Sequence, residues 1–136
     1  MKKIRTVPGT FATALGISVA SVGVAVPANA AIGDCASGYL CAWVDTNYNG
    51  ARLQLSPSNN NWGIWGQSTC LKRLTWSDCA SSLYNRTSAT CFRLYDAADR
   101  TGGYHRISPG DTIANLGTWS YNDVITSNSA IAGSTC

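Results

Sequence analysis

Short runs of alternating residues predict β-strands along the chain after residue 30. Residues 39–44, 52–55 and 92–95 each alternate with a period of two, as in strands with one buried face. Glycine-containing pairs such as Asn49-Gly50 and Gly102-Gly103 mark turns between these runs. None of the later windows has the 3.6-residue period of an amphipathic helix. Short strands with regular turn signals predict an all-β sandwich or small barrel.

The chain also contains an internal repeat. An aromatic residue, a glycine and an apolar-Ser-Pro triplet recur at an offset of 52, as Trp43, Gly50 and Leu55–Pro57 and then as Tyr95, Gly102 and Ile107–Pro109. Downstream, the polar stretch Ser77–Ser82 matches Asn122–Ser127 at an offset of 45. The change of offset predicts an insertion of seven residues in the first copy, between Ser58 and Thr75. Matches that keep their order predict a duplicated structural unit.

The repeated spacings resemble the two signatures of the βγ-crystallin Greek key. Trp43 is followed after four residues by Tyr48 and then by Gly50, and Asn122–Ser127 fits the polar pattern of that family. In the second copy Arg100 stands in place of the second aromatic residue. The resemblance implies an all-β, βγ-crystallin-like sandwich of two Greek-key motifs braced by disulfides. We expect one domain over residues 31–136, with motifs at about 35–88 and 89–130.

The first thirty residues have the pattern of a secretory signal peptide. A basic start at residues 2–5 precedes the uncharged segment 11–26, and residues 28–30 form an Ala-Asn-Ala cleavage site. We expect residues 1–30 to be cleaved and residues 31–136 to be secreted. No later segment has the roughly 20 apolar residues that a membrane-spanning helix needs.

Without that leader the charges balance, with seven basic residues against seven aspartates and no glutamate. A protein that binds nucleic acid through phosphates needs a basic stripe, so this composition argues against that class. We expect a monomer that binds neither nucleic acid nor membranes.

Six cysteines lie after the leader, and an even number in a small exported chain predicts three disulfides. They are Cys35, Cys41, Cys70, Cys79, Cys91 and Cys136. The short loop between Cys35 and Cys41 favours that pair. Cys70 could pair with Cys79 or with Cys91, and the remaining cysteine would then pair with Cys136. Zinc is disfavoured because the chain has no C-x-x-C and a single histidine, His105.

The βγ-crystallin resemblance implies calcium as a cofactor. In that fold the two polar stretches lie together and bind two calcium ions through oxygen ligands, which Ca²⁺ prefers. The residues that would supply these oxygens are Asp78, Ser81, Asn122, Asp123 and Thr126. The alternative is that these side chains bond to local backbone and lock a turn.

Catalysis finds little support in the sequence, so we expect a binding protein rather than an enzyme. His105 follows Tyr104 in a predicted strand, where a solvent-facing position is expected, and no nucleophile lies beside it in sequence. The family that the chain resembles most, from its start Gly33-Asp34-Cys35 onward, comprises βγ-crystallin-like inhibitors of metallopeptidases. The resemblance therefore implies an extracellular metallopeptidase as the partner. Because the second hairpin, 95–107, contains no cysteine, no reactive-site residue can be transferred.

The predicted insertion supplies a candidate partner-binding loop. Trp62, Ile64 and Trp65 are its apolar anchors, close to Cys70. These tryptophans could instead cap the core. An alternative function is a carbohydrate, cell-surface or killer-toxin-like module, with Trp62, Trp65 and Trp119 as stacking residues. A third is a calcium-stabilised structural protein without a dedicated partner.

Overall fold

The computed structural model describes residues 32–134 and Cys136 and confirms the all-β prediction. Within them lie seven strands, β1 (Leu40–Trp43), β2 (Arg52–Leu55), β3 (Ser82–Asn85), β4 (Thr90–Tyr95), β5 (Tyr104–Ile107), β6 (Thr112–Ile113) and β7 (Ser127–Ala132). Five short 3₁₀ turns accompany them at Ile32–Asp34, Thr46–Tyr48, Trp62–Ile64, Ala98–Arg100 and Leu116–Trp119. The predicted signal peptide lies outside the described residues. None of the helices in this part of the chain could cross a bilayer.

The two copies of the repeat interlock through their sheets. One sheet has the order β2-β1-β3-β6 and the other has the order β5-β4-β7, with every pairing antiparallel. Strand β6 comes from the second copy but pairs with β3 of the first. Conversely, Asn59 of the first copy pairs with Asn128 in β7. Each sheet therefore contains a piece of the other copy, as expected for two Greek keys that fold as one unit.

A single apolar core fills the space between the sheets. Leu40, Leu83, Phe92, Leu94 and Ile107 are all fully buried in it. Each such side chain contributes about 1.5–3 kcal/mol to folding relative to an exposed position. Strand β1 is buried on both faces, because Trp43 packs on its outer side against Cys35, Cys41 and Tyr48. The period-2 alternation of this strand thus separates two apolar clusters.

The folded hairpin after the first strand of each copy depends on glycine. Gly50 and Gly102 have φ of 75° and 80°, a region that other residues adopt only at a cost. A Cβ at either position would collide with the carboxylate of Asp45 or Asp96. The aromatic packing differs between the copies. In the first copy, the ring of Trp43 packs edge-on against the ring of Tyr48, with centroids 5.4 Å apart.

In the second copy the ring partner comes from a different position. Arg100 keeps the left-handed backbone of Tyr48, with φ of 60° against 61°. Tyr95, the equivalent of Trp43, packs instead against Tyr104 of β5 at 5.4 Å. The departure noted in the sequence therefore changes the partner of the ring and leaves the turn intact.

The six cysteines form three disulfides, in agreement with the sequence prediction. Cys35 pairs with Cys41, the favoured bridge, with Cα atoms 5.9 Å apart. Cys70 pairs with Cys79, and Cys91 pairs with Cys136. Of the two arrangements that the sequence left open for Cys70, the structure has the shorter loop.

Candidate functional site: crossed polar stretches beneath an insertion loop

The two predicted polar stretches lie against each other in a crossed arrangement. The Thr126 hydroxyl donates to Asp78 Oδ1 at 3.0 Å, and the Ser81 hydroxyl lies 3.4 Å from Asp123 Oδ1. Each aspartate thus meets the hydroxyl of the other copy, and we call these two contacts the crossed pairs. Asn122 donates to Asp123 Oδ2 at 2.9 Å. All five predicted oxygen donors are therefore brought together.

Backbone hydrogen bonds hold the crossed pairs in register. The Asp78 N–H donates to the Ile125 carbonyl at 3.0 Å, and the Asp123 N–H donates to the Ala80 carbonyl at 3.0 Å. Both aspartates have the same left-handed backbone, with φ of 57° and 53°. Aspartate tolerates this conformation better than most residues. The local symmetry of the two stretches therefore follows from their shared sequence.

The insertion in the first copy is longer than predicted. Trp62 and Trp76 are 14 positions apart, but the equivalent Leu116 and Tyr121 are only five apart, so nine residues are inserted. The second copy in turn has two extra residues between Pro109 and Leu116. The predicted seven residues are the net of these two changes. We call residues 66–74 the insertion loop.

The insertion loop is a compact hairpin with its own hydrogen bonds. Gly66 pairs with Thr75 at its base, and the Gln67 N–H donates to the Leu74 carbonyl at 2.8 Å. At its tip the Leu74 N–H donates to the Cys70 carbonyl at 2.7 Å. The disulfide from Cys70 to Cys79 anchors the loop to the first polar stretch. These constraints give the loop a defined shape.

The apolar residues that the loop exposes differ from those predicted. Leu71 is 88% exposed and Leu74 is 60% exposed. Leu74 also has φ of 55°, which is costly for a bulky side chain. Such strain often marks a functional segment. Neither leucine is among the anchors predicted from the sequence.

Of the three predicted anchors, only Ile64 is on the surface. Ile64 is 71% exposed, whereas Trp62 is completely buried, so its assignment as a surface anchor is wrong. Its indole Nε1 donates to the buried Asn128 Oδ1 at 2.9 Å, which satisfies the polar atom. Trp65 is half-buried and packs against the core. The sequence does contain a signal for the buried position of Trp62. Asn61 and Gly63 match Asn115 and Gly117, which flank the core residue Leu116.

The loop also brings two cations to the crossed pairs. Arg73 Nε lies 2.8 Å from Asp78 Oδ2. The Lys72 ammonium donates to the backbone carbonyl of Asp123 at 3.2 Å. Because Lys72 reaches across 51 positions of sequence, no local pattern could have indicated this contact.

A cavity of about 350 Å³ lies between the loop and the polar stretches. Three aspartates line it, Asp45, Asp78 and Asp123, and Lys72 is the single basic residue among the lining residues. Burial raises the pKa of Asp123, and the charges of Asp78 and Asp45 raise it further. Lys72 and the Ser81 hydroxyl act in the opposite direction. Asp123 is therefore a carboxylate whose negative charge is incompletely compensated.

The remaining sequence candidates lie away from this site. His105 is half-buried, stacked on Trp119 at 5.1 Å and edge-on to Tyr121 at 4.4 Å, so the expected solvent-facing position is wrong. Trp119 is half-buried by the same stack. Thus the tryptophans proposed as carbohydrate platforms are engaged in packing. Within residues 32–134 and Cys136, no three His, Cys, Asp or Glu side chains form a metal-ligand group.

Comparison with solved structures shows the fold to be that of βγ-crystallin domains. A βγ-crystallin domain from Clostridium beijerinckii is 25% identical with a TM-score of 0.52, covering 71% of this chain and 99% of that one. One from Flavobacterium johnsoniae is 24% identical with a TM-score of 0.53, covering 71% and 98%. A structure concerned with the evolution of the eye-lens βγ-crystallin domain fold is 18% identical with a TM-score of 0.57, covering 79% and 93%.

The sequence match is narrower in class. The model of peptidase inhibitor family I36 matches residues 28–108, which is more than half of the chain. The chain therefore belongs to peptidase inhibitor family I36, and the resemblance stated from the sequence is confirmed. No curated protein matches the chain.

Proposed function

We propose that this chain is an exported inhibitor of extracellular metallopeptidases and that its insertion loop enters the peptidase cleft. Membership of the inhibitor family supports a peptidase as the partner. The observation that carries the proposal is Leu71, which is 88% exposed at the tip of a disulfide-anchored hairpin. An exposed leucine on a pre-ordered loop can fill an apolar specificity pocket, where burial of its side chain would stabilise the complex.

The shape of the loop favours binding over catalysis. Its backbone is tied at the base by the Gly66–Thr75 pair and at the side by the bridge from Cys70 to Cys79. A loop that is already ordered loses less conformational entropy on association than a flexible peptide does. It can therefore enter a cleft at a smaller entropic cost. In this proposal no group of the inhibitor performs chemistry.

The proposal is tested by inhibition assays against a thermolysin-type zinc peptidase, with a serine peptidase as the contrast. The wild-type protein should inhibit the zinc peptidase at micromolar concentration or below. Leu71→Asp places a charge where an apolar pocket is expected and should weaken inhibition by about thirtyfold or more. The control is Ile131→Ala. Ile131 is a partly exposed residue of β7 and lies outside the insertion loop. No inhibition by the wild type, or equal inhibition by Leu71→Asp, would refute the proposal.

Export is the second part of the proposal. Three disulfides are compatible with an oxidising compartment. Expression in a secreting host should yield a protein in the medium whose measured mass corresponds to residues 31–136. A cell-associated protein that retains residues 1–30 would contradict export.

Calcium binding stays a prediction from the resemblance, and the crossed pairs do not fit it well. Each pair offers one carboxylate and one hydroxyl, so a bound Ca²⁺ would need backbone carbonyls and water to complete its six to eight oxygen ligands. Arg73 already forms an ion pair with Asp78, and Lys72 donates a hydrogen bond to the carbonyl oxygen of Asp123. We therefore assign calcium no part in the proposed inhibition.

A further inference from the structure

We propose that Lys72 and Arg73 take the place of calcium at the crossed pairs, so that the insertion loop itself supplies the cations that hold the two polar stretches together. The resemblance leads one to expect metal ions at this place, and the structure has two basic side chains of the same chain there. The inference concerns ion binding and stability, and it stands whether or not the protein inhibits a peptidase.

At Asp78, an arginine side chain already stands where a metal ion would be expected. Its Oδ2 forms the ion pair with Arg73 at 2.8 Å, and its Oδ1 accepts the hydrogen bond from Thr126 at 3.0 Å. The Asp78 side chain is 19% exposed. Both oxygens of this carboxylate thus have a partner from the protein. A divalent cation at this carboxylate would compete with the guanidinium for Oδ2.

At Asp123, the basic side chain is that of Lys72. Its backbone carbonyl, an oxygen of the type that Ca²⁺ binds, accepts a hydrogen bond from the Lys72 ammonium at 3.2 Å. The ammonium is also the one basic group lining the cavity shared with Asp45 and Asp78. Its charge lowers the pKa of Asp123 against the effect of burial. Lys72 therefore acts electrostatically as a bound cation would.

Both cations belong to the insertion loop. Lys72 and Arg73 are adjacent in residues 66–74, the segment that the second copy lacks. The loop is held close to the crossed pairs by the disulfide to Cys79, which lies next to Asp78. Two neighbouring residues thus reach one aspartate each, one through its carboxylate and the other through its carbonyl. The same contacts fix the position of the loop that carries Leu71.

The test compares thermal unfolding in chelator and in millimolar calcium for the wild type and for K72Q/R73Q. The wild type should unfold at the same temperature in both solutions. The double variant should unfold about 5 °C lower in chelator, and calcium should restore most of that loss. Isothermal titration should show calcium binding to the variant alone. R100Q is the matched control, since it removes one charge from an exposed residue outside the site.

Two results would overturn the inference. One is a wild type that binds calcium and is stabilised by it as strongly as the variant. The other is a double variant that remains indifferent to calcium. If K72Q/R73Q does not fold in chelator, folding on addition of calcium supports the inference. If it folds in neither solution, the single variants K72Q and R73Q are measured, and indifference of both to calcium overturns it. None of these measurements involves a peptidase, so failure here leaves the proposed inhibition untouched.

Discussion

The two copies of the repeat use the same frame to support different connections. The Ser81 N–H donates to the Trp43 carbonyl at 2.8 Å. The equivalent Thr126 N–H donates to the Tyr95 carbonyl at the same distance. Between the 3₁₀ turn and the polar stretch, however, the first copy inserts residues 66–74 and the second copy continues directly. Features that occur in both copies are those that the fold requires. The feature that occurs once is the natural place to look for a specific function.

The largest expected effect comes from removing a buried side chain at equivalent positions of the two copies. Trp62→Ala removes a buried indole and leaves Asn128 without its partner, so it should cost about 3–5 kcal/mol of unfolding free energy. Leu116→Ala, at the equivalent buried position, should cost about 2–5 kcal/mol. Denaturant unfolding measures both. Ile64→Ala, one turn away and exposed, is the control and should change stability by less than about 0.5 kcal/mol. If Trp62→Ala were as mild as this control, Trp62 would be a surface residue after all.

The next effect concerns the bridge that only the first copy has. Replacing Cys70 and Cys79 by serine should cost about 2–3 kcal/mol, since the bridge closes a short loop. The protein should still fold, but its inhibition should weaken because the loop is no longer ordered beforehand. Unfolding and inhibition assays are made on the same preparation. Full inhibition by this variant would show that the bridge does not organise the loop.

A smaller effect is expected from the asparagine that caps the 3₁₀ turn in each copy. Asn61 and Asn115 each accept a hydrogen bond from the glycine N–H two residues on, at 2.7 Å and 2.8 Å. Each Asn→Ala variant should cost about 0.5–2 kcal/mol. The two costs should agree within about 0.5 kcal/mol. A cost at one position and none at the other would contradict the alignment of the two copies.

The smallest expected effect is a pH dependence carried by Asp123. Its pKa is raised in the folded protein, mainly by burial, so the folded state holds the proton more tightly than the unfolded chain. This contribution to stability is present below the unfolded pKa of about 4 and is lost as pH rises through the folded pKa. Asp123 faces Lys72, Ser81, Asp78 and Asp45. Asp123→Asn should remove the contribution, with Asp99→Asn as the exposed control.

The readout is the difference in unfolding free energy between the variant and the wild type as a function of pH. It should grow in favour of Asp123→Asn as pH rises from about 4 to 7. A difference that is constant with pH, or that grows in favour of the wild type, would mean that Asp123 is well compensated.

Most of the fold could be predicted because the same pattern of residues occurs twice in the sequence. Trp43 and Tyr95, Gly50 and Gly102, and the two polar stretches recur in order. Alternating residues give the strands, and glycine is required where φ is positive. What repeats can be checked against its copy, which is why these predictions hold.

The insertion itself could be predicted from the change of offset, but its length, bounds and contacts could not, since it has no copy. The two extra residues after Pro109 masked two of its nine and also concealed that Trp62 matches Leu116. The sequence therefore left open whether Trp62 and Trp65 are surface anchors or cover the core, and the structure has Trp62 buried and Trp65 half-buried. The contact of Lys72 with Asp123 joins distant parts of the chain, and only the folded backbone brings them together.

The most direct test of the central claim is to convert the first copy into the second. Residues 66–74 are deleted and Cys79 is changed to Val, the residue at the equivalent position 124. Inhibition of the zinc peptidase is then measured for this variant and for the wild type, after circular dichroism has shown that both are folded. We expect a folded protein that no longer inhibits. A folded loop-less variant that inhibits as strongly as the wild type would contradict this expectation.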